Sequence, residues 1–495
     1  MTRKTTIASM LLLCALAAAA VSCGSGDGTT ISTDTAPTSG DAAETAAETT
    51  VSTDDRPALN LPEKDFNGES LRILGYETGV DCIKQYDFYY DEASAGELVN
   101  DAIHKRNMLI EERYNCVIEV TNDKTPKVTA RNSITAGSDD FDIMELYIND
   151  AMSMAMEGMF LNWYDLDYIS MDESWWDQAI QRDLAIYDRI YVMTGDISVY
   201  DEELNYCVYF NKQVATNNDI PDVYEMARNK TWTMDVMYEL GKSVAKDLNG
   251  DGVRDENDQF GLLSDSGMMF LFYFTCGNNF VTLDENGEPY FTVESERTFD
   301  VCDSLVEFFS DTDTMLWASK CSNTWTTLDK VFMENRNLFR PGSIYDIVYY
   351  RNMEHDFGIL PYPLFDEQQE DYYHLIATHV CPGICVPTTN AKLDMTSYLL
   401  EALAYESRDT VTEAYYDLNL YTKMARDDES GDMLDIIFST KRYDLGFVFD
   451  WGSLRSSLET LVTSGKSFST VWESKEKSAQ KAMEETMEFY RSNDN

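Results

Sequence analysis

From residue 69 onward the chain alternates short apolar runs with amphipathic stretches, and this alternation restricts the possible fold more than any other feature. Glu69-Ser-Leu-Arg-Ile-Leu-Gly75 reads as a buried strand. Across residues 97–114, Leu98, Ile103, Met108, Ile110 and Tyr114 recur near a 3.6-residue period and predict a helix, and Cys116-Val-Ile-Glu-Val120 then reads as a second strand. Further strands are expected over residues 141–146, 190–193, 204–210 and 259–262, and further helices after Trp232 and over residues 298–309 and 479–490. Strands that alternate with helices imply an α/β protein whose mostly parallel sheets are covered on both faces. With 495 residues, 44% of them apolar and 12% aromatic, the chain can bury the cores of about two or three domains.

Charge removes several functional classes. The formal net charge is −50, so the phosphate-neutralising attraction behind nucleic-acid binding has the wrong sign, as does attraction to anionic lipid. Only four histidines occur, His104, His355, His374 and His379, and no two share a helical or zincin spacing. A His-based metal enzyme and a Ser-His-Asp hydrolase are disfavoured accordingly.

The first residues read as an address. Arg3 and Lys4 precede an apolar run over residues 7–21, which is too short to span a bilayer but fits the hydrophobic region of a secretory signal. Ala20-Val21-Ser22-Cys23 resembles a bacterial lipobox, which implies removal of residues 1–22 and lipidation of Cys23, palmitate included. A multi-chain anchor of that kind binds membranes stably. Residues 23–65, rich in Ser, Thr, Gly, Ala, Asp and Glu, read as a flexible tether. The expected location is the extracytoplasmic face of the bacterial cell membrane. Beyond the signal, no later run approaches about 18 apolar residues. Eight further cysteines, among them Cys381 and Cys385, match no zinc spacing and are expected mainly as buried thiols, although those two are close enough to bridge.

The order of segments carries a resemblance. Phe141-Asp142-Ile143, Gly158-Met-Phe-Leu161 leading to Asp165-Leu-Asp167, Tyr209-Phe-Asn211-Lys212 and Thr231-Trp232 follow one another. Phe332-Met-Glu-Asn335, Phe357-Gly-Ile-Leu-Pro-Tyr-Pro363 and Val386-Pro387 continue the series. Together they resemble the family 1 extracellular solute-binding proteins of ABC importers, maltose-binding-protein-like, over nearly all of residues 66–495. The resemblance implies a two-lobe periplasmic-binding-protein-like fold of type II, with mixed, mostly parallel sheets and hinge strands between the lobes. One lobe is expected from residues 66–203 with about 380–415, the other from 204–379 with about 416–495. It also implies a monomeric, non-enzymatic receptor that closes on a sugar or other small solute and meets the permease subunits of an importer. A secreted carbohydrate hydrolase and a surface glycan-binding protein without an importer stay open as alternatives.

One metal motif stands out. Asp247, Asn249, Asp251, Asp255 and Asp258 occupy positions 1, 3, 5, 9 and 12 of an EF-hand-like loop, with Gly252 at its sharp turn and the Val253 carbonyl at position 7. A structural calcium ion is expected, weakly held because Asp258 replaces the usual bidentate Glu.

Ligand candidates follow from two arguments. Open α/β sheets bind ligands beyond the carboxyl ends of strands, which singles out Tyr76 and Glu77 after the first strand and Asn149 and Asp150 after the third. Aromatic rings cover sugar faces, which singles out Trp175, Trp176, Tyr345 and Trp451, the last two also by the family resemblance. Glu202 and Glu203, before the expected crossing between lobes, and Arg340, at a strand end, complete the set. Core packing is the alternative for each aromatic, and a solvated turn for the acids.

Overall fold

The computed structural model describes residues 57–83, 86–416 and 427–492. Cys23, its lipidation and most of the expected tether lie outside the described residues. The tether's last part is laid against the folded body: Tyr398 donates to the Pro62 carbonyl at 2.6 Å, and Lys64 pairs with Asp394 at 2.6 Å.

The first sheet contains β1 (Glu69–Tyr76), β2 (Cys116–Asp123) and β3 (Ile143–Tyr147). All five residues of β3 are buried, as a strand covered on both faces requires. The second contains β4 (Tyr206–Asn211), β5 (Phe260–Ser264), β6 (Met315–Trp317), β7 (Asn337–Ser343) and β8 (Phe357–Leu360), after which β9 (Pro382–Cys385) returns to the first. The orders are β9-β3-β1-β2 and β8-β4-β7-β5-β6. β1 is parallel to both β2 and β3, and β5 is parallel to both β6 and β7. The antiparallel pairs are β9 on β3, and β4 on β7 and β8. Antiparallel strands therefore occur where the chain arrives from the other sheet, and crossover connections supply the parallel pairs.

Helix Leu98–Tyr114 links β1 to β2, packs against helix Leu393–Ser407, and ends at Asn115 with φ +47°, which turns the chain directly into β2. On the other lobe, helix Met234–Val244 packs on β5, while Leu454–Ser464 and Phe468–Ser492 pack on Glu296–Ser310. Residues 190–193, expected as a strand, form none. Only Met193 exchanges backbone hydrogen bonds with Ile384, so this segment touches the edge strand β9 through one bridge. The eight described cysteines are free thiols, and no described helix is long and apolar enough to cross a membrane.

Two of the crossings between lobes, those near residues 204 and 377, run side by side. Asn205 bridges Ile376 in antiparallel fashion, and the Ala377 N–H donates to the Leu204 carbonyl at 3.1 Å. Immediately beside them Lys441, almost fully buried, reaches Asp201 at 2.7 Å, Glu202 at 2.9 Å and Asp177 at 3.3 Å. Burial opposes the lysine's charge, but the three carboxylates raise its pKa well above the usual value.

Candidate functional site

A cleft of about 740 Å³ opens at these crossings. Its floor is Leu204, Tyr206, Ala377 and Val380, and its larger wall comes from the second lobe. Helix Thr324–Met333 presents Trp325, Thr326, Asp329, Lys330 and Met333 to it, a spacing that keeps all five on one helical face. The end of β7 supplies Arg340, Pro341, Gly342 and Ser343. Gly342 has a geometric reason: a Cβ there would lie 2.5 Å from Asp346 Oδ2, which instead accepts the Ser343 N–H at 3.0 Å.

The polar groups of this wall are tied together. Asp329 Oδ1 accepts from Arg340 Nη2 at 3.0 Å and from the Tyr350 hydroxyl at 2.8 Å. The Arg340 guanidinium lies 5.4 Å from the centre of the Trp325 ring, so one face of the indole rests on a cation while 38% of the residue stays exposed. Tyr349, 46% exposed, also lines the cleft, its hydroxyl 3.4 Å from that of Tyr345. Burial, and secondarily nearby Arg455, lowers the His379 pKa to about 4, so this cleft histidine is neutral at physiological pH. Largely apolar lining with exposed rings, and charges such as Asp329 and Arg340 engaged with each other, suits a ligand with flat apolar faces edged by hydroxyls.

Of the residues singled out from sequence, Arg340 lies on the cleft wall and Tyr345 touches it through Tyr349. Four aromatic candidates belong to the core. Tyr76 stacks on Tyr147 at 4.5 Å. Trp175 packs edge-on against Tyr405, Trp176 donates to Glu401 at 2.9 Å, and Trp451 stacks on Phe449 and donates to Thr486 at 3.0 Å. All four rings are buried, and none lines the cleft. Asp150 pairs with Lys127 at 2.5 Å, Glu77 lies 3.7 Å from Lys124, and Asn149 reaches the Phe447 carbonyl at 3.4 Å. Glu202 is held by Lys441, and half-buried Glu203 has its pKa raised to about 8 by burial and then by Asp87. None of these five lines the cleft. Trp325, Tyr349 and Asp329 were missed, although a tryptophan in the otherwise polar opening turn of an amphipathic helix was a usable signal.

At the loop, Gly250 and Gly252 take φ of +73° and +76°, as the motif's turn demands. Asp247 accepts the N–H groups of Gly250 at 2.6 Å and Gly252 at 2.9 Å, and Asp251 accepts that of Val253 at 2.8 Å. Fully buried Asp258 accepts the Leu248 N–H at 3.0 Å and that of Asp255 at 3.2 Å. The carboxylates are thus turned onto their own backbone, and among the described residues no three His, Cys, Asp or Glu side chains are gathered as a metal site.

Neither a family model nor a curated protein matches the chain. Among solved structures it is similar to a cyclo/maltodextrin-binding protein complexed with maltotetraose, with a TM-score of 0.57 and 11% identity over 86% of this chain and 99% of that one. It is similar to UspC of M. tuberculosis, with a TM-score of 0.54 and 13% identity over 83% and 100% of the two chains. A third likeness is to a maltose/maltodextrin-binding domain of Bdellovibrio bacteriovorus bound to maltotriose, with a TM-score of 0.51 and 15% identity over 85% and 100%. Likeness at such identity is one of architecture, and it joins the two sheets, the paired crossings and the cleft in one conclusion: the chain has the two-lobe, type II fold of ABC substrate-binding proteins.

Proposed function

We propose that the protein is an extracytoplasmic solute receptor that holds a carbohydrate of oligosaccharide size in the interlobe cleft and delivers it to an ABC importer. The observation that carries this reading is the pair of exposed rings, Trp325 and Tyr349, on a cleft of about 740 Å³ between the lobes. Structures of similar fold are described with maltotriose and maltotetraose, which supports the ligand class. The cleft carboxylates favour binding over hydrolysis. Asp329 is engaged by Arg340 and Tyr350, and Asp346 by Ser343, so neither is disposed as a general acid or base. Titrating the protein with a series of linear and cyclic oligosaccharides tests the proposal. At a ligand concentration 100 times the dissociation constant, a true ligand should stabilise the fold by about 2.7 kcal/mol. Failure of every saccharide to bind, or release of sugars from a polysaccharide, would overturn it.

The anchor belongs to the same proposal and rests on Ala20-Val-Ser-Cys23. Cys23→Ala should leave the fold intact and move the protein from the membrane fraction to the soluble one. Fractionation identical to the parent would defeat the lipid anchor without touching the cleft. We also propose calcium at residues 247–258, on the spacing of its oxygens.

A further inference from the structure

A second groove of about 310 Å³ lies between Arg182, Asp183, Arg442 and Tyr443 on one side and residues 277–283 on the other, and shares no lining residue with the cleft. One of its charge pairs is closed. Arg182 forks onto Asp183 with two bonds of 2.7 Å and also meets the Lys441 carbonyl at 3.1 Å, while Asp183 Oδ2 accepts the Tyr443 N–H at 2.9 Å. The other arginine is not paired. Arg442 lies 4.8 Å over the Tyr373 ring, and among the described residues its guanidinium makes no ion pair, in a chain with 88 acidic residues against 38 basic ones. Gly277, at φ +80°, brings its backbone against that ring, where a Cβ would lie 3.3 Å away. The ring thus packs against the Gly277 backbone and carries the guanidinium over its face.

Three more polar side chains line the groove, Asn279, Thr282 and Tyr373. Each is partly buried, and none makes a side-chain hydrogen bond among the described residues. We infer that this groove is a second binding site, for a hydroxylated carboxylate of monosaccharide size, a sugar acid. Arg442 would take the carboxylate through its planar fork, preorganised by stacking on Tyr373. The carboxamide of Asn279 and the hydroxyls of Thr282 and Tyr373 would meet the sugar hydroxyls. The volume lies at the low end of ligand pockets and fits one ring rather than an oligosaccharide. The inference is independent of the cleft reading.

Isothermal titration of the purified full chain with D-glucuronate and with D-glucose tests it. Glucuronate should bind at least about tenfold more tightly than glucose, and Arg442→Gln should remove at least that advantage, a factor equal to about 1.4 kcal/mol. Asn279→Asp, which sets a carboxylate against the ligand's own, should abolish glucuronate binding, and it carries the test alone if Arg442→Gln fails to fold. Trp325→Ala should leave glucuronate affinity unchanged. The inference fails if glucuronate does not bind, if it binds both groove variants like the parent, or if Trp325→Ala removes it, which would place it in the cleft. It also fails if inorganic phosphate binds as tightly as glucuronate, which would leave an anion site only.

Discussion

Trp325 turns one face to the Arg340 guanidinium and stays 38% exposed, whereas Trp451, 4% exposed, stacks on Phe449 and donates to Thr486. Truncating an exposed anchor costs binding, commonly more than about 2 kcal/mol, and truncating a core tryptophan costs folding, about 3–5 kcal/mol. Trp325→Ala should therefore weaken oligosaccharide binding at least about tenfold with little change in melting temperature. Trp451→Ala should lower the melting temperature by several degrees and leave affinity alone. Calorimetry and titration on both variants decide the matter, and the opposite pattern would return Trp451 to the cleft. His374 is a second residue with a readable consequence. It is fully buried, its Nε2 accepts the Tyr362 N–H at 3.1 Å, and its Nδ1 lies 2.7 Å from the Thr440 hydroxyl. Protonation would break the first bond, and burial holds the pKa down at about 3. Because the folded pKa is depressed, the unfolded chain takes the proton first, so this contribution is complete above about pH 6.5 and is lost as pH falls towards 3. Against His374→Gln, the parent should lose about 2–3 kcal/mol between pH 7 and 4.5, at about 1.36 kcal/mol per pH unit. Denaturant curves that shift in parallel for both proteins would refute the assignment. The site was poorly legible: Trp175, Trp176 and Trp451 were singled out as rings suited to sugar faces, but a ring's identity does not reveal whether it is buried.

Regular elements were the more legible level, because a strand or helix declares itself through its own periodicity. β1, the helix Leu98–Tyr114 and β2 lie where their apolar spacing places them, to within a few residues. Residues 190–193 carry the apolar character of a strand yet find one bridge on β9, since a strand exists only where a partner offers a full ladder, and apolar character does not report that partner. The loop after helix Met234–Val244 raises a related problem. Its glycines adopt the motif's turn while its carboxylates hold backbone N–H groups. Several acids face few cations in this loop, with Arg254 3.7 Å from Asp258, so a divalent ion would relieve their repulsion. Calcium binding with a dissociation constant of about 10⁻⁴ to 10⁻³ M would stabilise the fold by about 0.4–1.4 kcal/mol at about 1 mM free ion. Chelation should thus lower the melting temperature measurably, and Asp251→Ala should remove the dependence. Superimposable melting curves with chelator and with calcium would leave the loop as a turn held by its own hydrogen bonds.

Across the whole molecule, closure of the proposed receptor would be absorbed where the chain crosses, Leu204 and Asn205 beside Ile376 and Ala377 among those places. Hinges of this kind concentrate backbone change in a few residues and leave the packed lobes rigid. The buried group next to them adds a constraint. Lys441 follows helix Asp428–Ser439, which packs on β8 of the second sheet, while Asp177, Asp201 and Glu202 precede the first crossing. One lysine thus ties the second lobe to the segment entering the hinge. Tyr443 reinforces the tie by donating to Asp177 at 2.8 Å. Removing one member of a buried ion network is strongly destabilising, about 3–5 kcal/mol, because the groups left behind have lost both water and partner. Lys441→Met should therefore lower the melting temperature by several degrees at pH 7. The loss should shrink in mild acid, where burial and neighbouring carboxylates favour a protonated Asp201, whose pKa stands well above the usual range. Replacing the carboxylates as well, in Lys441→Met with Asp201→Asn and Glu202→Gln, should recover part of the stability, since fewer uncompensated charges remain. If Lys441→Met melts like the parent at pH 7, or the triple variant melts lower than the single one, the lysine is not the tie between lobe and hinge.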